Sequence, residues 1–222
     1  MKKVLFVSAH PDDETIGCGG TILYHKSKGD EIYWLILTNV DEKHGWDKKI
    51  VNNRQKEIEK VNKLYGFNGL IKLDFPTTKL DSIPYSDIIT SVSTSINAVK
   101  PEIIYLPNRS DIHTDHQITF NAIYACTKSF RNPFIKKVLM YETLSETEFA
   151  PALIENVFVP NVFIDVSHYF DKKIEAMKIY SSEIMPDNFP RSLNAIESLA
   201  GLRGSRICVK YAESFMLIFE QQ

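Results

Sequence analysis

Short, continuous apolar runs separated by longer amphipathic stretches are the feature that most restricts how this chain can fold. Residues 31–38 read EIYWLILT, and similar runs occupy 3–9, 102–106 and 137–143. Residues 70–75 (LIKLDF) also have the residue types of a strand, although two charged residues interrupt them. Continuous runs of this length are typical of strands buried on both faces, which occur mainly in parallel sheets. Parallel neighbours need a crossover connection, usually a helix, and a helical pattern follows each of the first four runs. The sequence therefore predicts repeated strand–helix units.

Such units connect with right-handed crossovers and build a three-layer α/β/α sandwich. We expect a Rossmann-like, mostly parallel sheet in the order 3-2-1-4-5, with additional strands near 162–166 and 214–219. The helices are expected at 15–27, 48–65, 85–99, 116–130 and 193–202, with one more that begins behind Ser167. There is no internal repeat, linker or low-complexity stretch, so residues 1–222 are interpreted as a single domain.

Charge and cysteine content exclude several function classes. The formal net charge is −2 and no long basic run occurs, so a nucleic-acid partner is not expected. The first apolar run, Val4–Val7, is too short for a signal peptide or a membrane span. Cys18, Cys126 and Cys208 have no paired spacing, which favours buried thiols in a reducing compartment. We therefore predict a cytoplasmic protein without a membrane partner.

Two clusters of metal-ligating residue types follow strands directly. Residues 10–14 (HPDDE) follow the first strand, and residues 111–116 (DIHTDH) follow the fourth. Alone, the acidic residues could cap a helix and the histidines could lie on the surface. In the order 3-2-1-4-5, however, strands one and four are neighbours, and their carboxyl ends flank the crevice where ligands bind. Imidazole and carboxylate ligands together indicate a zinc site that retains a position for water.

These residues resemble the LmbE-like, or PIG-L-like, N-acetylglucosaminyl deacetylases. That family carries AHPDDE after its first strand and HxDH later, which here are residues 9–14 and 113–116. Arg54 and Glu57 match its RxxE pattern, and 203–215 is similar to its RG…YAExF ending. The resemblance extends over most of the chain. It departs at Ser182-Glu183, where many relatives have Ser-Gln, and at Cys208, where glycine is common.

The resemblance implies two sets of site residues. The expected metal ligands, for Zn²⁺ or alternatively Fe²⁺, are His10, Asp13 and His116. The expected catalytic residues are Asp12 as general base, a protonated His113 that stabilises the oxyanion or donates a proton to the leaving amine, and Asp115 orienting His113. The implied reaction is hydrolysis of an N-acetyl group on an amino sugar or sugar conjugate.

Four residues are candidates for substrate contact. Trp46 lies in the loop after strand two, where an aromatic face could stack on a sugar ring, although a surface loop explains it equally well. Arg54 would otherwise be a solvated helix residue and is proposed on the resemblance. Arg109 could meet a phosphate of a nucleotide-linked substrate, and Tyr141 ends strand five.

Other functions remain open at this point. The same metal chemistry would serve another acylated amine, such as a thiol-sugar conjugate or an antibiotic intermediate. A receiver-like signalling module also places acidic residues after strand one, but it would leave the three clustered histidines without a role. Tightly bound zinc would favour the hydrolase, and weak magnesium binding alone would favour the receiver. A homo-oligomer is compatible with the sequence.

Overall fold

The apolar runs form one seven-stranded sheet in a computed structural model that describes residues 1–222. The strands are β1 (Lys3–Ser8), β2 (Glu31–Asn39), β3 (Gly69–Pro76), β4 (Ile103–Pro107), β5 (Lys137–Tyr141), β6 (Val162–Asp165) and β7 (Ala212–Glu220). Their order is β3-β2-β1-β4-β5-β7-β6. The first five strands are parallel, whereas β7 pairs antiparallel with both β5 and β6. The predicted fold class and strand order are confirmed.

Helices cover both faces of this sheet. They are α1 (Asp13–Ser27), α2 (Lys48–Tyr65), α3 (Tyr85–Val99), α4 (Thr114–Ala125), α5 (Phe170–Ile179) and α6 (Leu193–Ser205). One apolar core joins α1, α2, α5 and α6 to the sheet, and a second core joins α3 and α4 to its other face. The helices thus form two outer layers around the sheet.

Strand β1 shows why the apolar runs are continuous. Val4 and Phe6 belong to the first core, while Leu5 and Val7 belong to the second. Successive side chains of a strand point to opposite faces, so a strand covered on both sides needs apolar residues at every position. Complete burial of each such side chain stabilises the fold by roughly 1.5 to 3 kcal/mol relative to exposure.

Two glycines allow α1 to approach the sheet closely. A Cβ atom at Gly17 would overlap the ring of Tyr141, and one at Gly20 would overlap Val166. A larger residue at either position would push the helix outward, because protein cores leave no room for added atoms. The close approach fixes the first turn of α1, which begins at Asp13, against the carboxyl end of β1.

Three local expectations were wrong. Helix α4 ends at Ala125 rather than near residue 130, since Asn132 Nδ2 donates to the carbonyl of Cys126 and turns the chain. Ser167 does not cap α5; its hydroxyl donates to Asp165 instead. His25 lies on the first helix outside the two clusters, where the sequence predicts a surface side chain, but it is buried and bonds both Asp30 and Tyr105.

No helix has both the length and the apolar character needed to cross a lipid bilayer.

Candidate active site

The ends of β1 and β4 bring the two sequence clusters together. These strands are parallel neighbours, so the segments that follow them emerge at the same edge of the sheet. The ring centroid of His10 lies 4.5 Å from that of His113 and 5.3 Å from that of His116. Residues separated by about a hundred positions in the sequence therefore share one site.

His10, Asp13 and His116 form a compact group of donor atoms. Their nearest ligand atoms all lie within 4.8 Å of one another. His116 Nε2 is 3.3 Å from Asp13 Oδ1, and His10 Nδ1 is 3.9 Å from Asp13 Oδ2. Tetrahedral zinc with ligand bonds near 2.0–2.2 Å separates its ligands by about 3.3–3.6 Å. The three side chains therefore fit a small divalent cation with little movement.

Each histidine of this group is held by a carboxylate on its other ring nitrogen. His10 Nε2 lies 3.0 Å from Asp115 Oδ2, and His116 Nδ1 lies 2.9 Å from Asp111 Oδ2. Carboxylate–histidine pairs of this kind orient the ring and leave the remaining nitrogen for a metal. The free nitrogens here are Nδ1 of His10 and Nε2 of His116, which are the atoms nearest Asp13.

The charge of the group also suits a cation. Burial opposes ionisation of Asp13 and His116, yet their mutual attraction prevails. It lowers the pKa of Asp13 below its usual range and, together with Asp111, raises the pKa of His116 well above its usual value. An ordinarily neutral imidazole thus carries the positive charge that the surrounding carboxylates require. A bound divalent ion would supply that charge instead.

His10, His113 and Asp115 form a second group within the same distance limit. Its donor atoms are already engaged, however. The carboxylate of Asp115 accepts from His10 and from the backbone N–H groups of Thr78 and Leu80, at 2.7 and 3.1 Å. The backbone N–H of Asp115 donates to His113 Nδ1 at 3.1 Å. The first group is therefore the better candidate metal site.

These contacts differ from the role expected for Asp115. Its carboxylate faces His10, and only its backbone N–H touches His113. Burial, followed by the charges of His10 and His116, lowers the pKa of His113 to about 4. Because Nδ1 accepts a hydrogen bond, the neutral ring carries its proton on Nε2. The lowered pKa favours a neutral His113 that donates from Nε2 near pH 7, whereas the sequence predicts a protonated residue.

Asp12 adopts a strained backbone conformation beside the metal group. Its φ of 135° is rare for a residue with a side chain, and such strain costs about 1–3 kcal/mol. The surrounding structure holds it, since the backbone N–H of Asp12 donates to Glu14 Oε2 at 3.1 Å. Burial, then the charges of Asp13 and Glu183, raise the pKa of Asp12 well above its ordinary value. A carboxylate with a raised pKa is suited to accept a proton.

Glu14 has a structural role. It is fully buried, and its carboxylate accepts from Ser8, Thr15 and Tyr180 at 3.3, 2.7 and 3.0 Å. Burial raises its pKa to about 7. The three successive acidic residues thus divide their work: Asp13 faces the histidines, Asp12 lines the cleft, and Glu14 fixes the loop that carries both.

The metal group lies at the base of a cleft of about 410 Å³, within the range usual for small-molecule sites. Two predicted substrate residues, Trp46 and Arg54, line it. Three charged lining residues had not been singled out as contacts: Glu146, Glu183 and Arg191. Arg54 and Glu183 form an ion pair, and Arg191 Nη1 lies 3.4 Å from Asp12 Oδ2.

The other two predicted substrate contacts do not line the cleft. Tyr141 is buried, with its ring against Gly17 and its hydroxyl donating to the carbonyl of Val7 at 2.7 Å. Side chains alternate along β5, and the face on which Tyr141 lies is covered by α1. Arg109 is exposed and donates to the carbonyl of Glu155, outside the cleft. Neither side chain is placed to touch a ligand beside His10.

A comparison with known families gives one match for residues 5–127, to PIG-L: GlcNAc-PI de-N-acetylase. Among curated proteins, the chain is 25% identical over 227 residues to the diacetylchitobiose deacetylase of Thermococcus kodakarensis, covering 98% of this chain and 84% of that protein.

Two solved structures illustrate the shared fold. The N,N'-diacetylchitobiose deacetylase of Pyrococcus horikoshii superposes with a TM-score of 0.76 at 23% identity, covering 98% of this chain and 84% of that one. The 4-carboxy-2-hydroxymuconate hydratase of Pseudomonas putida has the same TM-score at 18% identity, covering 100% and 98%. At these identities the likeness concerns architecture, and the second structure is a reminder that one fold can host different reactions.

Proposed function

This chain belongs to the PIG-L family of GlcNAc-PI de-N-acetylases, and we propose that it is a metal-dependent hydrolase that removes the acetyl group from the nitrogen of an amino sugar. One observation carries the proposal: a cation-compatible group, a carboxylate and a neutral imidazole donor line the same cleft. They are His10, Asp13 and His116, with Asp12 and His113 beside them.

The metal would be held by Nδ1 of His10, a carboxylate oxygen of Asp13 and Nε2 of His116. We propose zinc, which accepts nitrogen and oxygen ligands together; ferrous iron is the alternative, with the same donor types. When bound, such an ion supplies Lewis acidity, which lowers the pKa of water and polarises an amide carbonyl.

The protein's own residues would handle the protons. Asp12 removes a proton from the attacking water as its oxygen adds to the acetamide carbon, and His113 donates a hydrogen bond from Nε2 to the carbonyl oxygen as that oxygen becomes negative. The carbon–nitrogen bond then breaks, and the proton held by Asp12 passes to the departing nitrogen. The products are acetate and a free amine.

We propose an uncharged or conjugated N-acetyl sugar as the substrate, because the relatives named above include enzymes for diacetylchitobiose. Trp46 supplies an aromatic surface in the cleft, which suits a sugar ring. Other acylated amines remain alternatives that use the same chemistry. A receiver-like role would leave the buried His116 without a purpose.

The direct test is a screen of purified protein against N-acetyl sugars and their conjugates, with free amine and acetate as readouts. We expect equal amounts of the two products from at least one member of the panel. Acetate without amine, or no product from any N-acetyl compound in metal-loaded protein, would contradict the proposal.

The metal assignment has a separate test. Replacing His10, Asp13 or His116 by alanine is expected to lower the metal content of purified protein, since each supplies one of only three protein ligands. Elemental analysis measures this without any substrate. His168→Ala is the matched control, because His168 is exposed and distant from the cluster in sequence. Full metal content in all three cluster variants would refute the assignment.

A further inference from the structure

One wall of the cleft carries a carboxylate shared by two arginines. Glu183 Oε1 pairs with Arg54, and Glu183 Oε2 lies 3.5 Å from Arg191 Nη1. The three side chains are only 13%, 22% and 23% exposed for Arg54, Glu183 and Arg191. Water therefore screens these charges less than it would screen charges on the open surface.

The lining of the cleft holds more carboxyl groups than guanidinium groups. Arg54 and Arg191 are its only lysine or arginine side chains. Four carboxyl groups face them: Asp12, Asp13, Glu146 and Glu183. An anionic substrate would therefore compete with these carboxylates for the two guanidinium groups.

Arg191 is held less firmly than Arg54. Arg54 also donates from Nη1 to the carbonyl of Pro11 at 3.1 Å. Arg191 makes only long contacts through Nη1, at 3.4 and 3.5 Å, and its buried Nε has no hydrogen-bond partner. Arg191 therefore has hydrogen-bond donors to spare. Asp12 and Glu183 are the two carboxylates beside its guanidinium, and both compete with a ligand anion for it.

We propose that Glu183 determines the charge selectivity of the cleft: by occupying both arginines, it favours uncharged N-acetyl sugars over sugars that carry a phosphate or carboxylate. The proposal rests on the function proposed above and narrows its substrate class. Discrimination of this kind comes from building repulsion against the unwanted ligand as well as contacts to the wanted one. Glutamine at position 183 would keep the shape of the side chain and remove its charge.

The experiment compares wild type with Glu183→Gln, using two ligands that differ in charge: N-acetylglucosamine and N-acetylglucosamine 1-phosphate. Two readouts are measured, kcat/KM and binding by tryptophan fluorescence. The chain has two tryptophans; Trp46 lines the cleft and Trp34 is completely buried, so a change on binding reports Trp46. Binding needs no turnover, so it tests Glu183 even if neither sugar is hydrolysed.

Glu183→Gln is expected to strengthen binding of the phosphate relative to the neutral sugar by roughly 10 to 100-fold, the range of one hydrogen bond to a charged group. The matched control is Glu146→Gln, which removes a charge from the same cleft but forms no ion pair with either arginine. The binding of the phosphorylated sugar relative to the neutral sugar should change much less in Glu146→Gln than in Glu183→Gln. The double variant Glu183→Gln/Arg191→Gln should lose most of the gain.

Circular dichroism checks the fold of each variant, and Glu183→Ala replaces Glu183→Gln if the latter does not fold, because it too frees the arginines. An unchanged preference in the folded Glu183 variant, or an equal change in both glutamine variants, would overturn the proposal. If the binding preference shifts as expected but no protein hydrolyses either sugar, the result would count against the proposed function and leave the role of Glu183 intact.

Discussion

Asp12→Asn is expected to lower kcat by about 10² to 10⁴-fold while the protein keeps its metal, since proton transfer by a positioned side chain contributes that much. Asparagine retains the shape of the side chain but cannot accept the proton of water. It also tolerates positive φ better than most residues, which matters at a position with φ of 135°. Loss of activity can then be separated from a distorted loop.

Asp13→Asn is the matched comparison, because it makes the same chemical change one residue along the chain. Asp13 lies 3.3 Å from His116 Nε2 and belongs to the metal group, so this variant should lose both metal and activity. Elemental analysis and steady-state kinetics on the two proteins give the result. If Asp12→Asn loses the metal and Asp13→Asn keeps it, the base and the ligand have been exchanged in the assignment.

The architecture could be predicted because its signal is local and repeated. Four of the five parallel strands read as nearly continuous apolar runs, whereas the edge strand β3 carries Lys72 and Asp74. The order 3-2-1-4-5 places the segments after β1 and β4 side by side. That adjacency alone predicts that His10 and His116 lie together. The end of α4 was harder to predict, because the Asn132 contact that turns the chain leaves no periodic signal.

The cleft wall could not be predicted for a different reason. Glu183 and Arg191 come from the segment between α5 and α6, which forms no regular helix or strand around them. No periodicity indicates where such a segment lies. Tyr141 shows the opposite error: it ends a strand at the correct edge of the sheet, but its side chain points into the core. The place of a residue along a strand is easier to predict than the face of the sheet to which its side chain points.

The role of His113 also depended on contacts that the sequence does not reveal. HxDH suggested that Asp115 would hold the charged form of His113. In the structure, the N–H of Asp115 occupies His113 Nδ1, and neighbouring imidazoles oppose a further positive charge. Sequence proximity correctly indicated that the two residues touch, but not through which atoms.

The YAESF segment near the C-terminus has a structural explanation. Glu213 of this segment is buried and accepts from the backbone N–H groups of Gly20 and Thr21, at 2.9 and 2.7 Å. Lys173 Nζ donates to Glu213 at 2.6 Å and to the carbonyl of Ile16 at 2.8 Å. The pair therefore joins β7 and α5 to the backbone of α1, the helix whose first turn carries Asp13.

Lys173→Met is expected to lower the free energy of unfolding by about 3–5 kcal/mol, the usual cost of removing one partner of a buried ion pair. Methionine fills similar space but leaves the Glu213 carboxylate buried without its cation. Urea denaturation measures the loss, and Lys137→Met is the matched control, because the Lys137–Glu220 pair is 32% and 44% exposed and should contribute about 1 kcal/mol or less.

Adding Glu213→Gln to Lys173→Met should recover part of the loss by removing the unpaired charge. Equal losses in the two lysine variants would mean that the buried pair does not anchor α1. A loss confined to Lys173→Met, accompanied by a lower metal content, would connect the C-terminal segment to the site through this helix.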